Sequence, residues 1–324
     1  MLSPVRQQAN PGRIWLDEPA AREQIATRAH AGELDAEEEA HLRKFAEDGY
    51  FIFPIDLSVA DAAAIDRDVD ALWTDRPANV AFAYDSPPRR FREAVAAKHR
   101  KPRYRIHELH TASETALRLY LDAKIHRYMS LILGETAVAT QSLYFEFGSQ
   151  QALHRDSVVV PTPQFGRLAA AWIALEDIAP ESGPLMYVPS SQRLPFYEFE
   201  PGQPVYDPSR HTTADVEAAM AFYAADLERS GLPVKQFTAK RGEVLIWHSA
   251  LTHGGAPPAD AHHTRKSFVV HFSTLASHPT RECAVSETLD GTPGESVFST
   301  SEIYQREGAF GFGSALHGTF LYRR

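Results

Sequence analysis

Cysteine is nearly missing from this chain, with Cys283 the single one in 324 residues. That excludes an internal disulfide framework and any thiolate cluster, so a metal site here must be built from His, Asp or Glu. It also fits a reducing compartment. Long apolar runs are missing too, none approaching the roughly 18 residues that a membrane span requires. The amino-terminal MLSPVRQQANPGRIW lacks the apolar stretch of a secretory leader. The expectation is a cytoplasmic protein with no membrane partner. An excess of basic charge is absent, because 33 Lys and Arg face 42 Asp and Glu for a formal charge of -9. This is the opposite of a general nucleic-acid binder, and no nucleic-acid partner is expected. Internal repeats are missing, and so is the strand-helix alternation that builds a doubly wound parallel sheet.

What is present suits a large packed core: 44% hydrophobic and 23% charged residues. At this length the chain is read as one domain over 1-324, with mainly helical support in 1-135, a strand-built core in 136-275 and a carboxy-terminal extension in 276-324. Asp35-Ala-Glu-Glu38 is a capping box, Leu42 and Phe45 follow at helical spacing, and Gly49 stops the helix before the apolar run Tyr50 to Pro54. Ser58 with Asp61 opens another helix carrying Ala64, Ile65, Val69 and Leu72, and a third runs from about Ala123 to Leu133 and stops at Gly134. From about Thr140 the period becomes two, with Leu143, Phe145 and Phe147 on one face and Ser142, Tyr144 and Glu146 on the other. Further strands are expected at Leu168 to Leu175, Leu185 to Val188, Val244 to His248 and Ser267 to Phe272, with a helical insertion near 214-229. Helices first and many strands after predict an all-β core with helical support: a double-stranded β-helix, or jelly roll, flanked by amino-terminal helices.

The stretch QALHRDSVVV places His154 and Asp156 either side of one residue, where a run of valines reads as an apolar strand. Two readings compete. Asp156 and Ser157 can bond nearby backbone in a turn, or imidazole and carboxylate can serve as two ligands of a non-haem iron, pointing the same way from alternate positions. The triplet alone is weak, since composition would produce it by chance. Its weight comes from GEVLIWHSALTHGGAPPADAHHTRKSFVVHFS, which offers a third imidazole in a Gly-rich bend and an arginine opening the next strand. Period two there puts Arg265, Ser267, Val269 and His271 on one face and Phe268, Val270 and Phe272 on the other. A guanidinium on an inward face needs an anion, and a carboxylate fits it bidentately, with the Ser267 hydroxyl as a further donor. 2-Oxoglutarate is a dicarboxylate that chelates iron at one end and reaches such an arginine at the other. The plain alternative is a structural salt bridge on a barrel strand.

The motifs DGYFIFP, SLYFEFGSQQALHRD, AWIALEDIAPESGPLMYVPSSQ and the Gly-Glu strand leading to HGG, spread over residues 35 to 273, resemble the phytanoyl-CoA dioxygenase family of Fe(II)/2-oxoglutarate oxygenases. The resemblance implies that His154, Asp156 and His253 hold Fe(II) and that Arg265 anchors 2-oxoglutarate. It also implies that Trp172 lies beside the cosubstrate and Gln141 supplies a polar contact. Dioxygen is then the oxidant, and a small-molecule substrate is hydroxylated at an unactivated C–H bond with release of succinate and CO2. A carboxylate at position 156, where related halogenases have a small residue, implies hydroxylation or another oxidation in place of halogenation. The family's usual PGSH is Pro189-Ser-Ser-Gln192 here, a change expected in a loop and not at the metal.

His248 competes with His253 as third ligand, although a histidine closing the apolar run Val244 to Trp247 also reads as a hydrogen-bonded core residue. His262 and His263 read as solvated loop histidines, and His271 as either a substrate contact or packing. Arg89 to Arg105, RRFREAVAAKHRKPRYR, carries eight Lys or Arg against one acid and offers recognition of an anionic or carrier-linked substrate, or simply a solvated charged face. The stretch Gly311 to Phe320 reads as a cover for the site or a tail. A zinc hydrolase using the same three ligands, or a jelly-roll binding module with no working metal, are the rival readings; neither explains Arg265.

Overall fold

The helix signals of the first third are realised cap by cap in a computed structural model. It describes residues 14–74, 80–84, 90–92, 100, 104–160, 162, 165–207, 210–260, 263–274, 277, 282–284, 296–299, 303–306 and 309–312. After α1 (Ala21–His30) comes α2 (Ala36–Asp48). Asp35 accepts the Glu38 N–H at 2.7 Å, and Glu38 accepts the Asp35 N–H at 3.1 Å, the reciprocal box that the sequence announces. Gly49 ends α2 at φ 80°, a left-handed conformation that favours glycine, and the Gln192 amide packs over it. β1 (Tyr50–Pro54) follows, then α3 (Val59–Leu72) with its Ser58–Asp61 box.

Three strands lie within the portion read as helical: β2 (Ala81–Tyr84), β3 (Arg90–Arg92) and β4 (Tyr104–His107). They are short and sit in or beside a basic run, which hides their alternation. Helices α4 (Glu114–Tyr120) and α5 (Ala123–Leu133) complete the support, the latter capped by Asp122 and stopped at Gly134.

The core then runs β5 (Ala137–Phe145), α6 (Asp156–Val159), β6 (Ala169–Ala174), β7 (Leu185–Tyr187), α7 (Thr213–Ser230), β8 (Lys235–Phe237), β9 (Glu243–His248), β10 (His253–Gly255) and β11 (Ser267–Thr274). The valines after Asp156 are not a strand. They enter one helical turn that starts at Asp156, because Val160 N–H bonds back to the Asp156 carbonyl at 2.7 Å. Four short strands follow: β12 (Glu282–Ala284), β13 (Ser296–Ser299), β14 (Ile303–Arg306) and β15 (Ala309–Phe312). Of the stretch expected as cover or tail, Gly311 and Phe312 belong to β15, which pairs with β5 in parallel. Residues 313–320 lie outside the described residues.

The major sheet runs β1-β9-β6-β11-β5-β4-β2-β3, with β15 also on β5, and the minor sheet is β10-β7-β8. This is the expected jelly roll with helical support. The outer face of the major sheet, through Phe51, Phe53, Val244, Ile246, Ile173, Phe268, Val270 and Phe272, shares one core with Leu42, Phe45, Ile65, Ile125, Met129 and Ile132 of the helices. Each such side chain contributes about 1.5–3 kcal/mol by leaving water. The inner face is read off the register in rows. Ile52, Leu245, Trp172, Val269, Leu143 and His107 form one; Tyr50, Trp247, Ala170, His271 and Gln141 form the next; Ala174, Ser267, Phe145 and Arg105 form a third. Polar groups thus appear on an otherwise apolar wall at chosen places.

One buried histidine makes the helical layer acid-sensitive. His126 packs edge-on to Phe272, with Nε2 3.1 Å from the Tyr120 carbonyl, and burial pushes its pKa down to about 4. The unfolded chain takes up this proton near pH 6.5, so the stabilisation is complete above that pH and is lost as pH falls toward 4. From pH 7 to pH 4, urea unfolding of His126→Gln is expected to lose about 2–3 kcal/mol less stability than that of the parent; equal losses would show that this imidazole is not buried neutral.

Candidate metal centre

The centre is assembled by backbone pairing. His154 and His253 form an isolated antiparallel bridge, exchanging N–H···O bonds of 2.8 and 2.9 Å. Directly paired residues project to the same side, and the imidazole centroids lie 4.5 Å apart. Both rings use the same local device: Nδ1 of His154 stands 2.8 Å from the Ala152 carbonyl, and Nδ1 of His253 3.0 Å from that of Leu251. A carbonyl only accepts, so each Nδ1 carries the proton and each Nε2 is left as a bare lone pair. That is the tautomer a metal ligand needs. Burial first, then the neighbouring His253, hold the His154 imidazole down to about 4 against the pull of Asp156.

Asp156 arrives at the first residue of α6. Its Oδ1 lies 3.7 Å from Nε2 of His154 and 3.5 Å from Nε2 of His253, and the three donor atoms fall within 4.8 Å of one another. The other oxygen, Oδ2, accepts the Trp247 indole N–H at 2.7 Å and faces His271 Nε2 at 3.6 Å. Burial pushes this carboxyl up, but His253 and His271 outweigh it and hold it well below the usual carboxylate range. With one oxygen occupied by Trp247, the carboxylate offers the other alone. Two imidazoles presenting Nε2 and a one-armed carboxylate on one side fit a redox-active iron with open positions.

His248 is excluded from this set by its own hydrogen bonds. Its Nδ1 accepts the Ala250 N–H at 2.9 Å, and its Nε2 stands 3.2 Å from Asp17 Oδ2. Neither nitrogen is left for a metal. His263 stands half-exposed 3.8 Å from Asp260, and His262 lies outside the described residues.

The donors open into a cleft of about 410 Å³ that also takes in Leu143, Phe145, Trp172, Trp247, Val269, Arg265 and His271. Arg265 is 1% exposed. Its guanidinium stands 5.8 Å from the Trp172 ring, and its Nε and Nη1 have no hydrogen-bond partner. Among the described residues no carboxylate pairs with it, and burial alone lowers its pKa to about 10, leaving it charged at neutral pH. Ser267 Oγ, Trp172 Nε1 and His271 Nδ1 are likewise buried without partners. Gly148 makes room for the arginine, because at φ 75° a Cβ there would stand 2.6 Å from Arg265 Nε. Gln141 does not line the cleft. It sits on the same face, its amide 3.3 Å from His107 Nδ1.

Two residues at the site carried no separate signal. Trp247 alternates with Ile246 along β9, so the strand period alone places it inward. Arg105, from the basic segment, projects from the inner face of β4; its Nε donates to His107 Nε2 at 3.1 Å, and its charge reaches His154. Arg100 of the same segment is committed elsewhere, to Glu146 at 2.6 and 2.9 Å and to Asp70 at 2.6 Å. Arg89, residues 93–99 and residues 101–103 lie outside the described residues. Gln192, in the loop where a histidine was expected, packs over Gly49 with its amide 3.3 Å from the Glu47 carbonyl, and takes no part in the centre.

The model of the phytanoyl-CoA dioxygenase family matches residues 45–266. A mouse (Mus musculus) phytanoyl-CoA dioxygenase domain-containing protein 1 is 22% identical over 52% of this chain and 56% of its own length. The match thus spans about half the length of that curated relative. Among solved structures, the non-heme alpha ketoglutarate dependent carbocyclase SnoK from nogalamycin biosynthesis superposes with a TM-score of 0.55 at 16% identity, covering 88% of this chain and 98% of that one. EctD from S. alaskensis, solved with bound Fe, gives a TM-score of 0.51 at 18% identity, with 84% of each chain covered. At such identities these two likenesses establish a common fold.

Metal titration separates the competing histidines. Removing His154 or His253 is expected to weaken Fe(II) or Co(II) binding by about 100-fold or more, whereas His248→Ala lowers the melting temperature and keeps the metal affinity of the parent. Loss of binding in His248→Ala with retention in His253→Ala would reverse the assignment.

Proposed function

The chain belongs to the phytanoyl-CoA dioxygenase family of Fe(II)- and 2-oxoglutarate-dependent oxygenases, and we propose that it hydroxylates an unactivated C–H bond of a small-molecule substrate, releasing succinate and CO2. Arg265 is the observation that carries this reading. A guanidinium buried without an acid costs several kcal/mol of lost hydration, and a carboxylate arriving with the cosubstrate offsets that cost. A hydrolytic zinc centre, or a binding module without metal, has no use for it.

The proposed division of labour follows from the inner face of the sheet. His154, Asp156 and His253 would hold Fe(II), which when bound would supply the redox chemistry that couples dioxygen and 2-oxoglutarate decarboxylation to C–H oxidation. Arg265 grips the far carboxylate of 2-oxoglutarate through its unpaired Nε and Nη1, and the Ser267 hydroxyl donates to the same group. Trp172 forms the wall beside it. Leu143, Phe145 and Val269 exclude water from the space between arginine and metal. Trp247 engages Oδ2 of Asp156, so that the carboxylate would offer a metal its other oxygen alone.

An anionic or carrier-linked substrate would meet the Arg105 guanidinium on the inner face of β4, in register with Phe145 of the cleft. The carboxylate at Asp156 supports hydroxylation or another oxidation over halogenation. The carbocyclase SnoK shares this fold.

Anaerobic addition of Fe(II) and 2-oxoglutarate is expected to give a weak visible charge-transfer band that is absent in His154→Ala. Arg265→Ala and Gly148→Ala should each weaken 2-oxoglutarate binding, the former by about 100-fold, with Fe(II) affinity within about threefold of the parent. Equal losses of both ligands in Arg265→Ala would remove the arginine from its role, and turnover without succinate release would remove the oxygenase reading.

A further inference from the structure

Between His154 and Asp156 stands a second buried cation that the cleft does not use. Arg155 is 0% exposed. The bridge joins His154 to His253, so one step along it Arg155 faces Thr252, and successive residues of extended chain point to opposite sides. Arg155 and Thr252 therefore lie behind the metal centre. There the guanidinium donates through Nε to Thr252 Oγ1 at 3.3 Å and through Nη1 to the Pro195 carbonyl at 3.0 Å. Its Cζ stands 4.2 Å from the ring centroid of Tyr223 on α7. Nη2 has no partner, and among the described residues no carboxylate lies within ion-pair distance. Asp226, one turn along α7, is buried too, but its Oδ1 is engaged by Arg229 at 3.1 Å and its Oδ2 by nothing.

This arrangement is a poor way to gain stability. An apolar side chain of similar volume usually stabilises as well as a buried cation or better. What a planar fork supplies is direction, since its donors hold their partners at fixed angles. The partners here are particular. One is the residue before His253, one is a loop carbonyl, and one is a ring on a helix inserted between β7 and β8. That helix is otherwise attached through a small cluster of Val158, Ala219 and Tyr223, separate from the main cores.

We propose that Arg155 is a positioning residue which couples the docking of helix α7 to the spacing of the iron ligands, so that α7 governs how tightly the metal is held. From one side it fixes the segment carrying His154 and Asp156; through Thr252 it fixes the segment carrying His253; through Tyr223 it refers both to α7. The inference rests on the iron reading given above.

The test compares anaerobic Fe(II) titrations with urea unfolding of the metal-free protein, for the parent and for Arg155→Met, Arg155→Lys and Tyr223→Leu. Arg155→Met and Arg155→Lys are expected to weaken Fe(II) binding by about 10- to 100-fold, the range for partners that orient metal ligands. Tyr223→Leu removes the ring on α7, together with its hydroxyl bond to the Tyr197 N–H, and leaves Arg155 itself intact; it should weaken binding in the same direction. The metal-free Arg155→Met protein should unfold at the parent's urea midpoint or above it. A purely structural arginine would give the reverse pattern, with a lower midpoint and unchanged Fe(II) affinity of the folded fraction, and that result overturns the proposal. Unchanged affinity in Tyr223→Leu overturns the part played by α7, and this variant decides alone if Arg155→Met does not fold. A parent protein that binds no Fe(II) overturns the iron reading instead, which distinguishes the two failures.

Discussion

The reciprocal backbone pair between His154 and His253 is the constraint on which the remaining geometry depends. It joins two segments far apart in sequence, and two main-chain hydrogen bonds tolerate little relative movement. Both rings then leave the same side of the minor sheet. Each is turned by a bond from Nδ1 to the carbonyl two residues earlier, so orientation and tautomer are set by backbone rather than by side chains that can relax. Asp156 needs a different device, because it lies past the bridge at the start of a helical turn. The Trp247 indole and His271 hold it from the major sheet. The centre is thus a point where the two sheets are stitched together, and a metal held there would tie them further.

The two faces of the major sheet divide stability from chemistry. Its outer face is continuous with the helical layer through Phe51, Ile246, Phe268 and Phe272, in one core that includes Ile125 and Ile132. The inner face carries the aromatic and aliphatic lining of the cleft, interrupted at positions where a strand turns a polar group inward. Cross-strand register lines these interruptions up: Ser267 and Arg105 flank Phe145, and His271 sits beside Gln141. A slip of one residue in β11 would send Arg265, Ser267 and His271 into the helical core. The bulge between His271 and Phe272 lies beyond them, so the register that matters is unbroken.

Much of this was legible in the sequence, for physical reasons that differ from element to element. Capping residues act locally, and the boxes at Asp35 and Ser58 and the stop at Gly134 appear where they were read. The inward and outward faces of Ser267 to Phe272 followed from period two alone. The valines after Asp156 misled, because an apolar run does not distinguish a strand from a helical turn. Strands β2 to β4 were hidden since each is short and their residues mix charge with aromatic side chains. Strand period did not separate His248 from His253, and the family's spacing to Arg265 favoured His253; the hydrogen bonding that occupies His248 was not legible. It depends on the Ala250 N–H and on Asp17, a contact across more than two hundred residues. Arg155 was silent for the same reason, as its partners Pro195, Thr252 and Tyr223 come from three separate segments.

Placing two unpaired arginines within one small jelly roll is costly, and their environments explain why the cost falls differently. Arg265 looks into a cleft beside other unpartnered polar atoms, on Trp172 and His271. A ligand with complementary charge can satisfy them together, so the unfavourable free energy belongs to the empty state and is removed on binding. Arg155 is enclosed by a hydroxyl, a carbonyl and an aromatic ring, with no cleft before it, so nothing arriving later relieves it. Its cost is permanent and must be offset by packing elsewhere, which the large apolar core behind the major sheet provides. A cation whose burial is never relieved is best understood by the geometry it enforces, and the geometry within its reach is that of the three metal-facing side chains.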